Sequence, residues 1–95
     1  MRERDIERHL VKRVKELGGE VRKVKWIGRN GAPDRLVLME KRGRGFYYGC
    51  TYWVELKATG KKPEPHQIRE HKRMRELGQL VVVIDSIEGV EDLLR

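Results

Sequence analysis

Twenty-one residues, Thr59 to Gln79, separate the strand-like stretch Tyr52–Lys57 from the apolar run Leu80–Ile84. A tight turn would pair two such strands antiparallel. A connection this long that carries a helix returns the chain to its starting end and pairs them parallel. The helix signals are present. Pro65 suits a first helical turn, where its missing N–H is not needed, and Gly78 supplies the stop. The spacing predicts a helix from Pro65 to about Leu77 and a right-handed crossover. Leu80–Ile84 (LVVVI) is nearly all apolar, the pattern of a short strand buried on both faces. Ser86 can cap a last helix that ends at Leu94.

Upstream, Ile6, Leu10, Val14 and Leu17 recur at i, i+4, i+8 and i+11, with Val11 beside them and Arg and Lys on the other face. That stripe predicts a helix over Glu3–Leu17, stopped by Gly18-Gly19. Glu20 to Ile27 alternates as a first strand. Gly28 to Pro33 is a loop by composition. Arg35–Glu40 (RLVLME) is a second strand, Lys41–Gly45 (KRGRG) a turn, and Phe46–Ala58 holds the third strand. Short links let these three strands meander antiparallel. The order is α-β-β-β-α-β-α. It specifies an α/β fold, a small mixed four-stranded sheet flanked by helices, in a single domain over residues 1–95.

Charge narrows the partners. Lys and Arg total 22 and Asp and Glu 15, a net charge of +7. Residues 1–49 hold 14 basic and 7 acidic side chains, while residues 50–95 hold 8 of each, so the excess lies in the first half. A basic half beside a neutral one suits an anionic partner, most often nucleic acid. No apolar run approaches the ~18 residues that would span a bilayer. Met1–Arg8 is too charged for a signal peptide. A membrane role is therefore excluded, and a cytoplasmic location is expected. The single cysteine, Cys50, excludes an intrachain disulfide and a cysteine-rich zinc site.

Three charged residues stand where strands prefer apolar ones: Asp34 at the mouth of strand two, and Glu55 and Lys57 in WVELKA. Two apart, Glu55 and Lys57 project from one face, with Val54 and Leu56 on the other. In a hairpin, opposed residue numbers have a constant sum. For Asp34 and Glu55 it is 89, which centres the turn inside Gly43-Arg44-Gly45. Opposed residues share a face, so two carboxylates and an ammonium meet in one patch. Neighbouring carboxylates repel unless a cation intervenes. A hard-oxygen set with few protein donors is typical of Mg²⁺, which keeps waters and shares substrate phosphates. A surface salt-bridge cluster is the alternative.

Gly31-Ala32-Pro33-Asp34-Arg35 followed by Val54-Glu55-Leu56-Lys57-Ala58 resembles the PD-(D/E)XK nuclease signature. The helix-one stretch Glu7-Arg8-His9-Leu10-Val11, Gln67 and the VVVIDS strand end make the chain similar to the stand-alone VRR-NUC branch. Helix one and its glutamate are also similar to archaeal Holliday-junction resolvases. The likeness covers nearly the whole chain and implies a restriction-endonuclease-like core. It implies that Asp34 and Glu55 hold the metal with the backbone carbonyl of Leu56, and that Lys57 is the catalytic lysine. It adds Glu7 as the helix-one acid, with Glu3 its rival, and Gln67 beside the lysine. Gln67, His71 and Met74 share a helix face, which brings Gln67 toward the site if Met74 faces the sheet.

The expected activity is a Mg²⁺-dependent (Mn²⁺ substituting), structure-selective DNA endonuclease. A homodimer would meet a four-way junction, in the host cytoplasm if the gene is viral. Rivals are a flap-, nick- or single-strand-directed nuclease and a non-catalytic DNA-binding module on the same fold. Arg22, Lys23, Lys25, Arg29, Arg35, Lys61 and Lys62 are the expected phosphate contacts, with Lys41, Arg42 and Arg44 further along the same basic, aromatic stretch. That stretch holds all six aromatics, Trp26, Phe46, Tyr47, Tyr48, Tyr52 and Trp53, which either track DNA or pack in the core. The loop Gly28–Gly31 can admit a phosphate to the backbone or serve as a plain turn.

Overall fold

The order of elements follows from which segments can bury an apolar face. The computed structural model describes residues 1–43 and 45–95, and at positions 42, 43, 46 and 47 the backbone alone. The expectations for Arg44, and for the side chains of Arg42, Phe46 and Tyr47, lie outside the described residues.

Helix α1 (Glu3–Glu16) buries Ile6, Leu10 and Val14 completely. Its first turn carries Glu3 and Asp5 and its last turn Arg13 and Lys15, which complements the helix dipole. The stripe is narrower than the spacing predicts. Val11 and Leu17 are exposed, because the chain leaves the helix before Leu17 can turn inward.

Strand β1 (Glu20–Lys23) is half the predicted length. One more backbone bond, Val24 N–H to the Asp34 carbonyl at 2.9 Å, closes the ladder. The chain then bends away, and Trp26 donates from Nε1 to the Pro33 carbonyl at 2.8 Å. Strand β2 (Arg35–Gly43) pairs antiparallel with β1, Lys23 opposite Arg35 and Glu20 opposite Leu38.

Strand β3 (Phe46–Leu56) pairs with β2 from Arg35 opposite Val54 to Gly43 opposite Phe46, the register with constant sum 89. The predicted turn at Lys41–Gly45 is corrected. Strand pairing continues through Gly43, because cross-strand bonding overrides the weak strand preference of Lys, Arg and Gly. The hairpin therefore outruns its neighbours. Beyond Leu38 on β2 and before Trp53 on β3, the two strands pair with each other alone, forming a two-stranded arm.

Helix α2 (Pro65–Glu76) starts with a capping box between Glu64 and Gln67 and leads to β4 (Val81–Ile84). Strand β4 runs parallel to β3, Trp53 opposite Val81 and Leu56 opposite Ile84. The sheet order is β1-β2-β3-β4. β4 is thus an edge strand, and the expectation of burial on both faces fails at Val83, which is 38% exposed. Helix α3 (Ile87–Leu94) is capped by Ser86, whose Oγ accepts from Gly89 N–H at 2.9 Å.

The core lies on one face of the sheet. Val37, Met39, Val54, Leu56 and Ile84 pack there with Ile6, Leu10 and Val14 of α1 and Val90 of α3. Alternation sends Trp53, Glu55 and Lys57 to the other face, beneath α2. Among the described residues no helix is long and apolar enough to cross a membrane.

Candidate active site

Glu55 sits on a mid-sheet strand with its flanking residues committed to the core, so its carboxylate must enter the space under α2. It is 9% exposed. Lys57 Nζ stands 3.7 Å from Glu55 Oε2 and donates to Gln67 Oε1 at 2.9 Å. The Gln67 amide donates to Glu55 Oε2 at 3.4 Å. Gln67 Oε1 also accepts the Glu64 N–H at 2.8 Å, the bond that caps α2. One side chain therefore starts the helix and ties the Glu55–Lys57 pair to it.

His71, one turn further along α2, is 1% exposed, with Nε2 3.7 Å from Glu55 Oε1. Burial, then the charges of Arg75 and Lys57, hold its pKa below the ordinary histidine value, so its ring is neutral. Nε2 has no hydrogen-bond partner among the described residues. No role for His71 is legible in the sequence; its spacing from Gln67 was the signal. Met74, 8% exposed, faces the sheet as expected.

Asp34 directly precedes the Arg35–Val54 pair, so the register continues it opposite Glu55. Its side chain is 62% exposed. Burial raises the Glu55 pKa above the usual carboxylate value. The Lys57 charge opposes this, while the charges of Asp34 and Glu3 add to it. The Asp34 charge thus adds to the cost of ionising Glu55, a cost that a bound cation would relieve.

Among the described residues no three His, Cys, Asp or Glu side chains form a ready-made cage. The donor set instead suits Mg²⁺, which takes one or two carboxylates and leaves other positions to water and substrate. Leu56, whose side chain is buried in the core, stands between Glu55 and Lys57 in the chain.

Arg35 departs from its expected phosphate role. It is 7% exposed and lies on the α1 side of the sheet. Its guanidinium binds Glu7 of α1 through Nη2 and Asp34 through Nη1 at 2.8 Å. Parity explains this, since Arg35 opposes Val54, a core residue. Glu7 therefore reaches the site only through Arg35 and Asp34, whereas Glu3 is the helix-one acid whose charge reaches Glu55.

The other expected phosphate contacts lie at the surface. Arg22 is exposed and paired with Glu20 at 2.7 Å, and Lys23 and Lys25 are exposed beside Asp34. Arg29 stands 3.6 Å from Glu70. Lys61 and Lys62 are exposed on a loop that Asp85 tethers through Gly60 N–H at 3.2 Å. The loop at Gly31 does not lie open to a phosphate. A Cβ there would meet the His66 carbonyl at 2.8 Å, so Gly31 packs on the start of α2.

No protein-family model matches the chain. A curated relative named "Putative nuclease p44", from Acyrthosiphon pisum secondary endosymbiont phage 1, is 45% identical over 86 residues, which cover 90% of this chain and 85% of that protein. A solved structure described as a VRR_NUC domain superposes with a TM-score of 0.81 at 39% identity, covering 97% of this chain and 92% of the other. With the fold order and four-stranded mixed sheet in agreement, the chain belongs to the VRR-NUC family of nucleases.

Proposed function

We propose that the protein is a Mg²⁺-dependent, structure-selective DNA endonuclease that works as a homodimer on four-way junctions. The observation that carries the chemistry is the interlock of Glu55, Lys57 and Gln67, with Asp34 in register opposite Glu55. Asp34, Glu55 and the Leu56 carbonyl would hold the metal, and Mn²⁺ should replace Mg²⁺. When bound, the ion supplies charge neutralisation at the phosphodiester and lowers the pKa of water.

The chain's own residues do the rest. Lys57, held by Gln67, would orient or activate the attacking water. It also offsets negative charge that develops on the phosphate. The buried, neutral His71 packs against Glu55 from α2, with Nε2 3.7 Å from Oε1. Lys23, Lys25, Lys61 and Lys62 flank the site and supply sequence-independent phosphate affinity.

Support for a dimer comes from the arm, where β2 and β3 pair with each other alone and leave strand edges of the kind a second chain can meet. A two-fold pair of sites matches a two-fold symmetric junction.

The test is a substrate panel with Mg²⁺: four-way junction, flap, nicked duplex, linear duplex and single strand. Paired symmetric nicks in the junction are expected. We expect Lys57→Ala to lose about 10²-fold or more in cleavage rate while still binding DNA, and Asp34→Asn to lose its response to Mg²⁺. Undiminished Mg²⁺-dependent cutting by both variants would refute the site. Preference for the flap or single strand would refute the junction.

A further inference from the structure

Next to the proposed catalytic patch lies a pocket of about 290 Å³ lined by Trp26, Arg29, Trp53, Glu70, Arg73 and Met74, among others. That is near the lower bound of small-ligand pockets, roughly 300–1,000 Å³. The sequence holds only two tryptophans, and both are here. Their ring centroids are 5.0 Å apart at 46°. Polar edges anchor them, Trp26 Nε1 on the Pro33 carbonyl and Trp53 Nε1 on Gln79 Oε1 at 3.3 Å. Both indoles are partly exposed and line the pocket.

Glu70 is the unusual member. Its side chain is 9% exposed, and its Oε1 lies 3.6 Å from Arg29 and 3.4 Å from Arg73. Both contacts are ion pairs rather than aligned hydrogen bonds. No side chain among the described residues hydrogen-bonds to this carboxylate. A nearly buried carboxylate with unused acceptors normally finds a donor. The two arginines at the mouth are 45% and 59% exposed.

The pocket adjoins the catalytic site through neighbouring residues. Trp53 and Glu55 are two residues apart on one face of β3, about 7 Å by strand rise. Glu70 adjoins His71 on α2, and Trp26 holds Pro33, the neighbour of Asp34. A strand with one phosphate at Glu55 and Lys57 would carry an adjacent base to the tryptophans.

We propose that this pocket binds a nucleobase that unpairs at the branch point of the DNA substrate, stacked on an indole face, and prefers bases with an exocyclic amine, which donates to Glu70. A base on the outer face fits, because 5.0 Å between centroids admits no third ring between the indoles. Aromatic stacking accepts any base. The carboxylate adds selection, since cytosine offers an amine where thymine offers a carbonyl oxygen. Arg29 and Arg73 cover the base or grip its phosphate. The proposal rests on DNA being the substrate, and it extends that reading to a base subsite beside the cut.

Because both tryptophans line the pocket, their fluorescence reports its occupancy. The full chain is titrated in EDTA, without cleavage, with six-nucleotide strands that are fully abasic or carry one central cytosine or thymine in an otherwise abasic backbone. Anisotropy of a labelled strand measures total binding in parallel. The cytosine strand should quench tryptophan emission and bind about tenfold tighter than the thymine strand. The abasic strand should bind without quenching.

In Glu70→Met the cytosine preference should vanish while stacking on either base persists. In Trp53→Leu both base-bearing strands should fall to the abasic affinity. Equal affinity of all three strands, or binding without quenching, would overturn the base subsite while leaving the nuclease reading intact. Equal affinity for cytosine and thymine would overturn the role of Glu70. A concentration-dependent change of emission without DNA would mean that a second copy of the chain fills the pocket, and that would overturn it too. Failure of every strand to bind would overturn the base subsite alone, because the junction, flap and duplex panel decides the nuclease reading separately.

Discussion

Glu55 carries its function at a cost in stability. Its pKa is raised above the usual carboxylate value, first by burial, so the folded, metal-free protein holds that proton more tightly than the unfolded chain does. Ionised Glu55 therefore destabilises the fold above its folded pKa. That penalty shrinks between the folded value and the ordinary ~4.3, and it is absent below. We expect Glu55→Gln to raise the Tm of the metal-free protein at pH 7, with no difference from wild type below about pH 4. Each kcal/mol recovered is worth about 4–8 °C in a domain of this size. A thermal melt series in EDTA checks this. Arg35 gives the complementary case. Its guanidinium is spent on Glu7 and Asp34, and one nitrogen, Nε, has no hydrogen-bond partner among the described residues. Arg35→Met should destabilise the fold by up to about 3 kcal/mol, because Glu7 is left unpaired beside the core. It should leave the salt dependence of DNA binding unchanged. Lys61→Ala should do the reverse, holding Tm and lowering the log–log salt slope by about 1. Binding isotherms at several salt concentrations separate the two.

At the scale of elements, the site is a clamp between the loop before β2 and the N-terminal turns of α2. Gly31, at φ +87°, lies against the His66 carbonyl, and its backbone hydrogen-bonds the buried His71. We expect Gly31→Ala to lower stability, by more than the usual 1 kcal/mol for a φ-incompatible side chain, and to reduce cleavage more than it reduces DNA affinity, since Asp34 and Glu55 are pushed apart. Melting and single-turnover kinetics on the same sample check it. This clamp also marks how far the sequence could be read. The β2–β3 register, the parallel β4 and the Gln67–His71–Met74 face were legible, because strand parity and helical spacing are local arithmetic. The side of Arg35 followed from the same parity but was masked by its charge, which suggested DNA. The length of the hairpin was not legible, since Lys41–Gly45 has turn-like composition and only the partner strand decides. Nor was Glu70, an ordinary-looking helix glutamate until α2 docks over Trp26 and Trp53.

For the whole molecule, the radius of gyration is 13.5 Å and the extents are 42 × 31 × 21 Å. A compact chain of this length would have a radius of about 12.4 Å. The two-stranded arm accounts for the elongation, since five paired residues beyond the sheet project about 16 Å. An isolated hairpin is marginal in water. The molecule therefore has two tiers of local stability. Amides at Val37 and Val54, fully buried, should exchange with deuterium only on global unfolding, and those at Glu40, Lys41 and Gly49 through smaller openings. Association through the arm would change the second tier alone. Slow exchange at Glu40, Lys41 and Gly49 that grows with protein concentration would identify the arm as the contact between copies. Concentration-independent exchange there would leave the arm free to meet something else.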